Sequence, residues 1–312
     1  VQKRLSDDRK TLEITMKMRS SFDFKNVRNV KGILVIYLPR DYKFDQVDME
    51  YGAVTAEIDG LNAKSLKIES GASGCTIKNA DIEELDVETG AGSLDFYGTV
   101  VHEDGEIIKK ITQIIYDTGE VENMSEIDAF WWNDFQNMFT NSYGDCFETQ
   151  RELEKKSLKH TLIKFGSIAD VDRLSNYMFE HWVKPPIFED SLKFFESSPI
   201  PIYIVSNIDT ADILKAIEFH GLTPTDVFTS EDARAYKPRK ELFELALRTT
   251  GLKADEVIHI GDSLCSDVKG ASSVGINALW LNRFGKQIPN GVESISSLLG
   301  ALDKNLQSDN RF

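Results

Sequence analysis

Two aspartates stand five residues apart in the run GDSLCSD, Asp262 and Asp267, directly after the apolar stretch EVIHI. Ligands of an open parallel sheet gather beyond the carboxyl ends of its strands, so acids at such a point are placed to share one ligand. A hard cation such as Mg²⁺ takes oxygen donors and keeps several waters, and two nearby carboxylates with a third from another strand suit it. The candidate third is Asp117, which closes the stretch ITQIIYD and is followed by Gly119. Ser206 and Asn207 end a further apolar run, IPIYIVSN, and offer a hydroxyl and an amide for phosphate oxygens. Lys237, before Pro238 in SEDARAYKP, offers a cation.

The elements that must position these residues alternate from residue 109 onward. ITQIIYD, IPIYIVSN, EVIHIGDS and NALWLN read as strands. TADILKAIEFHGL, stopping at Gly221, and PRKELFELALRTTGL, opening on Pro238, read as helices between them. Strands alternating with helices predict a parallel sheet with crossover connections. The block between the first two strands holds three helical patterns, EIDAFWWNDFQNMF, TQRELEKKSLKHTLIKF and DVDRLSNYMFEHWV, too much for one crossover. It predicts a helical cap over about residues 122–184, inserted in a core of 109–121 and 185–303, with Phe130, Trp131, Phe135 and Phe139 as cap core.

The first third has another texture. VDMEYGAVTAEI, LKIESGASGCTI and LDVETGAGSLDF align without gaps at a period of 19, with Gly52, Gly71 and Gly90 in register. Each unit predicts two short strands about a Gly-Ala turn, and one unit cannot close a core, so the units must stack as a solenoid or sandwich. Pro39 and Asp41 mark a turn after a further apolar strand upstream. The acidic run DIEELDVE lacks a calcium-loop pattern and reads as a solvated strand. The division expected is an all-β repeat domain over 1–104 and an α/β domain over 105–312, with the boundary inside 98–110.

Composition narrows the function. The net charge of −15 is spread over both parts, which argues against a surface for nucleic-acid phosphates. The 41% hydrophobic and 28% charged fractions are those of a globular chain, and no run of about 18 apolar residues predicts a membrane span. Cys75, Cys146 and Cys265 are odd in number and form no CxxC pair, which fits a reducing, cytoplasmic setting. A start at Val1 is expected of a fragment or a processed form, and the abrupt change of texture also fits a fusion of two reading frames or a segment lost near 98–120.

In order and type, Asp117, Ser206 with Asn207, Lys237, and Asp262 with Asp267 resemble the four motifs of the haloacid-dehalogenase-like (HAD) superfamily over about 109–303. The repeat, over about 8–100, resembles adhesin-like β-strand-repeat domains of unknown function. The resemblance implies a Rossmann-like α/β core with an inserted helical cap, preceded by the solenoid-like repeat domain. It implies a Mg²⁺-dependent hydrolase of a small phosphorylated metabolite that works through an aspartyl-phosphate. Asp117 would be the nucleophile, Lys237 the cation neutralising it, Ser206 and Asn207 the phosphate ligands, and Asp117, Gly119, Asp262 and Asp267 the metal ligands, Gly119 through its carbonyl. The family's first motif runs Asp-x-Asp-Gly-Thr, and here Gly119 would replace the second Asp, the acid and base. The alternatives are haloacid dehalogenation, with aspartate attacking carbon without a metal, and a catalytically weakened binding or scaffold protein whose repeat domain makes protein contacts.

Overall fold

The computed structural model describes residues 2–5, 12–15, 43–51, 56–70, 75–198 and 200–303. Residues 1–39 and 40–312 form separate compact units. In the first, β1 (Gln2–Leu5) pairs antiparallel with β2 (Leu12–Thr15). The turn glycines Gly52 and Gly71, and Pro39 with Asp41, lie outside the described residues.

In the second unit the 19-residue period becomes strand register. β3 (Phe44–Tyr51), β5 (Asn62–Ser70) and β7 (Asp81–Thr89) form a parallel sheet in which Val47 faces Leu66 and Leu66 faces Leu85. β4 (Ala56–Asp59) and β6 (Cys75–Lys78) form a second, with Ile58 opposite Ile77. Ile58, Leu61, Ala63, Leu66 and Ile68 are buried together, the core that one unit alone could not close. The third unit departs from the pattern. Its second strand, β8 (Ala91–Leu94), pairs with neither β4 nor β6 and instead lies in the middle of a six-stranded parallel sheet.

That sheet has the order β10-β9-β8-β11-β12-β13, with β9 (Ile202–Ser206), β10 (Asp226–Thr229), β11 (Val257–Gly261), β12 (Asn277–Leu281) and β13 (Ser294–Ile295). The α/β sheet thus takes in β8, upstream of the boundary expected at 104/105, with only Gly90 between it and the end of the repeat sheet at Thr89. Alternation along each strand supplies both layers. Ile202 and Ile204 face one core, while Tyr203 and Val205 face the other.

Helices α1 (Gly105–Thr118), α2 (Met124–Asn141), α3 (Gln150–Lys164), α4 (Val171–Val183) and α5 (Glu189–Ser197) lie between β8 and β9. The later connections carry α6 (Thr210–His220), α7 (Ser230–Ala233), α8 (Glu241–Thr250) and α9 (Gly270–Ser272), and α10 (Leu299–Asp303) follows β13. Trp131 is buried, Phe130 packs edge-on to Phe165, and Phe139 stacks near Tyr236 with ring centroids 4.0 Å apart. No helix among the described residues is long and apolar enough to cross a membrane.

The strand expected at ITQIIYD is a helix, α1. Ile107, Ile108, Ile111, Ile114 and Ile115 recur at steps of three and four, a helical stripe that a window opening at 111 cuts in half. Ile115 is fully buried on that stripe, whereas Asp117 faces solvent and accepts from Gln113 Nε2 at 2.8 Å. Chemical denaturation should separate them: Ile115→Ala costs ~2–5 kcal/mol, as for a large-to-small core change, and Asp117→Asn stays within ~0.5 kcal/mol.

Candidate active site

β8 lies between β9 and β11, and the chain leaves it through the helical block towards β9 and later crosses to β11 on the other side. That is a switch point of an open parallel sheet, where the carboxyl ends of the strands leave a crevice. Asp95 stands there, one residue past β8. Its backbone N–H donates to Ile260 O at 2.9 Å, tying the loop to β11. Asp95, Asp262 and Asp267 each offer an oxygen within 4.8 Å of the others.

One lysine organises this acid cluster. Lys237 Nζ, almost wholly buried, donates to Asp95 Oδ1 at 2.7 Å, to Asp267 Oδ1 at 2.7 Å and to Val205 O at 2.8 Å. Ser206 Oγ adds a bond to Asp95 Oδ1 at 3.2 Å. The second oxygen of Asp267 accepts from the backbone N–H of Ser263 at 2.9 Å. Behind it His259, fully buried, lies 3.3 Å from Asp267 through Nε2 and 2.8 Å from Ser93 Oγ through Nδ1.

The protonation preferences follow from these contacts. Burial raises Asp95 to about 6, with Lys237 opposing and Asp267 adding to the rise. Asp267 is equally buried, but Lys237 and His259 hold it below the usual carboxylate range. Burial alone would depress Lys237, and the two carboxylates more than offset it, so the ammonium persists. Asp262 makes no ion pair with Lys237, whose charge only partly opposes the rise: burial, then Asp95 and Asp267, push it to about 8. Its polar partner is Thr99 Oγ1 at 3.4 Å.

Two glycines let these groups approach. A Cβ on Gly98, whose φ is +87°, would sit 2.6 Å from Asp262 Oδ1, and one on Gly261 would fall 2.2 Å from the Asp267 carboxyl carbon. Arg283 braces the loop from the far side, donating to Thr99 O at 2.8 Å and to Asp190 Oδ2 at 3.0 Å. Core and cap are stitched by Asp209, which accepts the backbone N–H groups of Gln150 and Arg151 at the start of α3, and by Asp212, which takes the Arg151 guanidinium through both oxygens at 2.6 Å. The Tyr97 hydroxyl donates to Trp182 O at 2.6 Å, a further link to the cap.

Of the residues expected from the sequence, Lys237, Ser206, Asp262 and Asp267 meet in this crevice. Asp117 and Gly119 do not. Asp117 is on the outer face of α1, and Gly119 follows the end of that helix, where a Cβ would strike Phe165 O at 2.7 Å. The group facing Lys237 is Asp95. Asn207 is also reassigned: its side chain accepts from Lys237 N at 2.7 Å and donates to Lys237 O at 3.1 Å, clamping that backbone instead of facing a ligand. Asp95, Tyr97, Gly98, Thr99 and His259 escaped the sequence reading. The signal was there in LDFYGT, which carries Asp, Gly and Thr at the spacing of the family's first motif, with Tyr97 in place of the second Asp.

Residues 93–275, more than half of the chain, match the haloacid dehalogenase-like hydrolase family, and residues 1–128 match Toastrack DUF4097. The chain belongs to the haloacid dehalogenase-like hydrolase family and carries a Toastrack domain before its α/β core. It is 27% identical over 185 residues to haloacid dehalogenase-like hydrolase domain-containing protein 3 of Danio rerio, covering 56% of this chain and 66% of that one. It is 31% identical over 114 residues to the pyrimidine 5'-nucleotidase PynA of Streptococcus pneumoniae, covering 34% and 48%. HAD-hydrolase YfnB of Bacillus subtilis is 37% identical over 84 residues, 26% of this chain and 36% of that one. The chain thus spans from about a third to just under two thirds of the length of these curated relatives. Among solved structures, YfnB bound to magnesium aligns with a TM-score of 0.56 at 20% identity over 69% of this chain and 97% of that one. The L-2-haloacid dehalogenase of Xanthobacter autotrophicus aligns at 0.54 and 16% over 69% and 96%. These likenesses show the fold.

The donor set fits a hard divalent cation. Three carboxylates meet one lysine, and Asp262, which makes no ion pair with that lysine, bears its negative charge unfavourably. In chelator-treated protein this charge must weaken the fold. Asp262 binds its proton more tightly folded than unfolded, so its contribution to stability falls as pH rises from its ordinary value of 3.8 to about 8 and is flat above. At pH 8 without metal, Asp262→Asn should raise Tm by ~2 °C or more, the effect of about 1 kcal/mol. Calorimetry at pH 5 and pH 8 checks this, with the clearly larger gain at the higher pH.

Proposed function

We propose that the chain is a cap-bearing, Mg²⁺-dependent phosphomonoester hydrolase that acts on a small phosphorylated metabolite through an aspartyl-phosphate on Asp95. The observation that carries the reading is the meeting of Asp95 with Lys237, Asp262 and Asp267 at the carboxyl ends of the central strands. Asp95 is the nucleophile, since Lys237 keeps the carboxylate charged while burial strips it of water. Lys237 and Ser206 lie where they offset charge on the entering phosphoryl oxygens. Asp95 and Asp262, with Asp267, would hold Mg²⁺, which when bound neutralises phosphoryl charge. By the family pattern, the carbonyl role expected of Gly119 passes to Tyr97. Relatives whose names support the class include the pyrimidine 5'-nucleotidase of Streptococcus pneumoniae.

A second reading, dehalogenation by attack of Asp95 on carbon, is favoured by one observation: residue 97 is tyrosine, so the loop carries a single carboxylate. Against it stands the third carboxylate, Asp262, which with Asp95 and Asp267 completes an oxygen set for a divalent cation that metal-free attack does not need. Aryl phosphate hydrolysis with and without Mg²⁺, beside chloride release from a 2-chloro acid, separates the two. Phosphate release should require Mg²⁺ and fall by at least ~10³-fold in Asp95→Asn, as when a nucleophile is removed. Asp117→Asn should keep the parental rate. Chloride release without metal and no phosphate release would reverse the order of the readings.

A further inference from the structure

Lys237 is held from two sides. On the core side Asn207 binds its backbone N–H and carbonyl, while Nζ meets Asp95, Asp267 and Val205 O. A buried ammonium offsets its lost hydration only where such geometry is close to ideal, so small displacements of residue 237 are costly. On the other side stand the three residues before it, and the cap holds these. Arg234 O accepts from Gly144 N at 2.8 Å and Arg234 Nε donates to Gly144 O at 2.9 Å, a two-way clamp onto the loop between α2 and α3. Arg234 is left-handed, with φ +50°, a strained conformation for a residue with a side chain, and one that persists where its neighbours over-determine it. Ala235 bridges antiparallel to Tyr143. Tyr236 is buried, its hydroxyl donates to Glu148 O at 2.8 Å, and its ring lies against Phe139 and Phe147 with centroids 4.0 and 5.2 Å away.

We propose that Tyr236 is a positioning residue for Lys237: Phe139 and Phe147 of the cap hold the Tyr236 ring, and the ring holds the backbone of the next residue where its ammonium reaches both carboxylates. Cap packing then acts on the chemical step through Lys237, without any of these rings touching the reacting atoms. The effect on turnover rests on the phosphatase reading of the site, whereas the support given to Lys237 does not. The competing account is that Asn207 and the two carboxylates fix Lys237 by themselves, and that the rings only stabilise the cap.

Two measurements on the full chain separate these accounts. The first is residue-resolved amide hydrogen exchange, read at the Lys237 N–H that Asn207 Oδ1 accepts. Phe139→Ala and Phe147→Ala shorten half-buried cap side chains and leave the core sequence intact. Each should speed exchange at Lys237 by ~10-fold or more, as a local opening does. Phe130→Ala, which removes a cap ring packed on Phe165 instead, should leave that exchange and kcat at the parental values. The second is steady-state hydrolysis of nitrophenyl phosphate with Mg²⁺. Here kcat and kcat/KM should fall together by ~10-fold or more in Phe139→Ala and Phe147→Ala, the mark of an interaction expressed in the transition state. Tyr236→Phe, which keeps the ring, should stay closer to the parental kcat than Tyr236→Leu. Parental exchange at Lys237 in both cap variants would overturn the proposal, as would equal acceleration in Phe130→Ala. A raised KM at unchanged kcat would also overturn it, since the rings would then be binding the leaving group. If the parent releases no phosphate above the Asp95→Asn level, the phosphatase reading fails, and exchange at Lys237 still decides whether Tyr236 positions it.

Discussion

A buried ammonium held between two buried carboxylates is the constraint on which the site depends. Lys237 cannot stay charged at its depth without Asp95 and Asp267, and removing either partner would leave an uncompensated charge, the costly case for buried ion pairs. The triad therefore fixes three separate segments against one another: the end of β8, the loop after α7 and the turn after β11. Asn207 adds a fourth by holding Lys237's backbone through both amide atoms. His259 and Ser93 form the floor, so that Asp267 is oriented from below as well as from the side. Asp262 is left outside this neutralisation. A charge of that kind is poorly tolerated unless a ligand is meant to meet it.

The fold delivers these groups because its central strand is also its first. With β8 flanked by β9 and β11, the loop after it faces the ends of both neighbours. Gly98 and Gly261 permit the loops to close to distances that any side chain would forbid. The cap is anchored beside the same crevice by Asp209 and Asp212 and by the Tyr97 hydroxyl, so the loop that carries Asp95 also touches the cap.

Much of this was legible in the sequence. The 19-residue period emerged as strand register, and the acid pair in GDSLCSD marked the turn after β11, because each rests on local spacing. The first strand was not, for two reasons that compound. AGSLDF aligns with the second strands of the two preceding repeats, its Leu94 and Phe96 falling on the apolar positions of Cys75 and Ile77, so the strand that leads to Asp95 is hidden as a third repeat. Local pattern cannot reveal that this copy pairs with β9 and β11, since partner choice is a tertiary property. The strand then sought downstream fell on the isoleucine stripe of α1, whose final turn happens to end in Asp117 and Gly119. Asn207 was found but misassigned, because whether an amide faces a ligand or a neighbouring backbone is decided by the loop around residue 237. His259 carried no separate signal: a lone histidine inside a strand is more often core than site.

The most direct test of the account is chemical identification of the reacting carboxylate. Protein turning over an aryl phosphate with Mg²⁺ is acid-quenched within one turnover and mapped by peptide mass spectrometry. The account predicts a phosphoryl group on the peptide that contains Asp95, lost in Asp95→Asn. A phosphoryl group on another carboxylate, or steady turnover with Asp95 never modified, would contradict it.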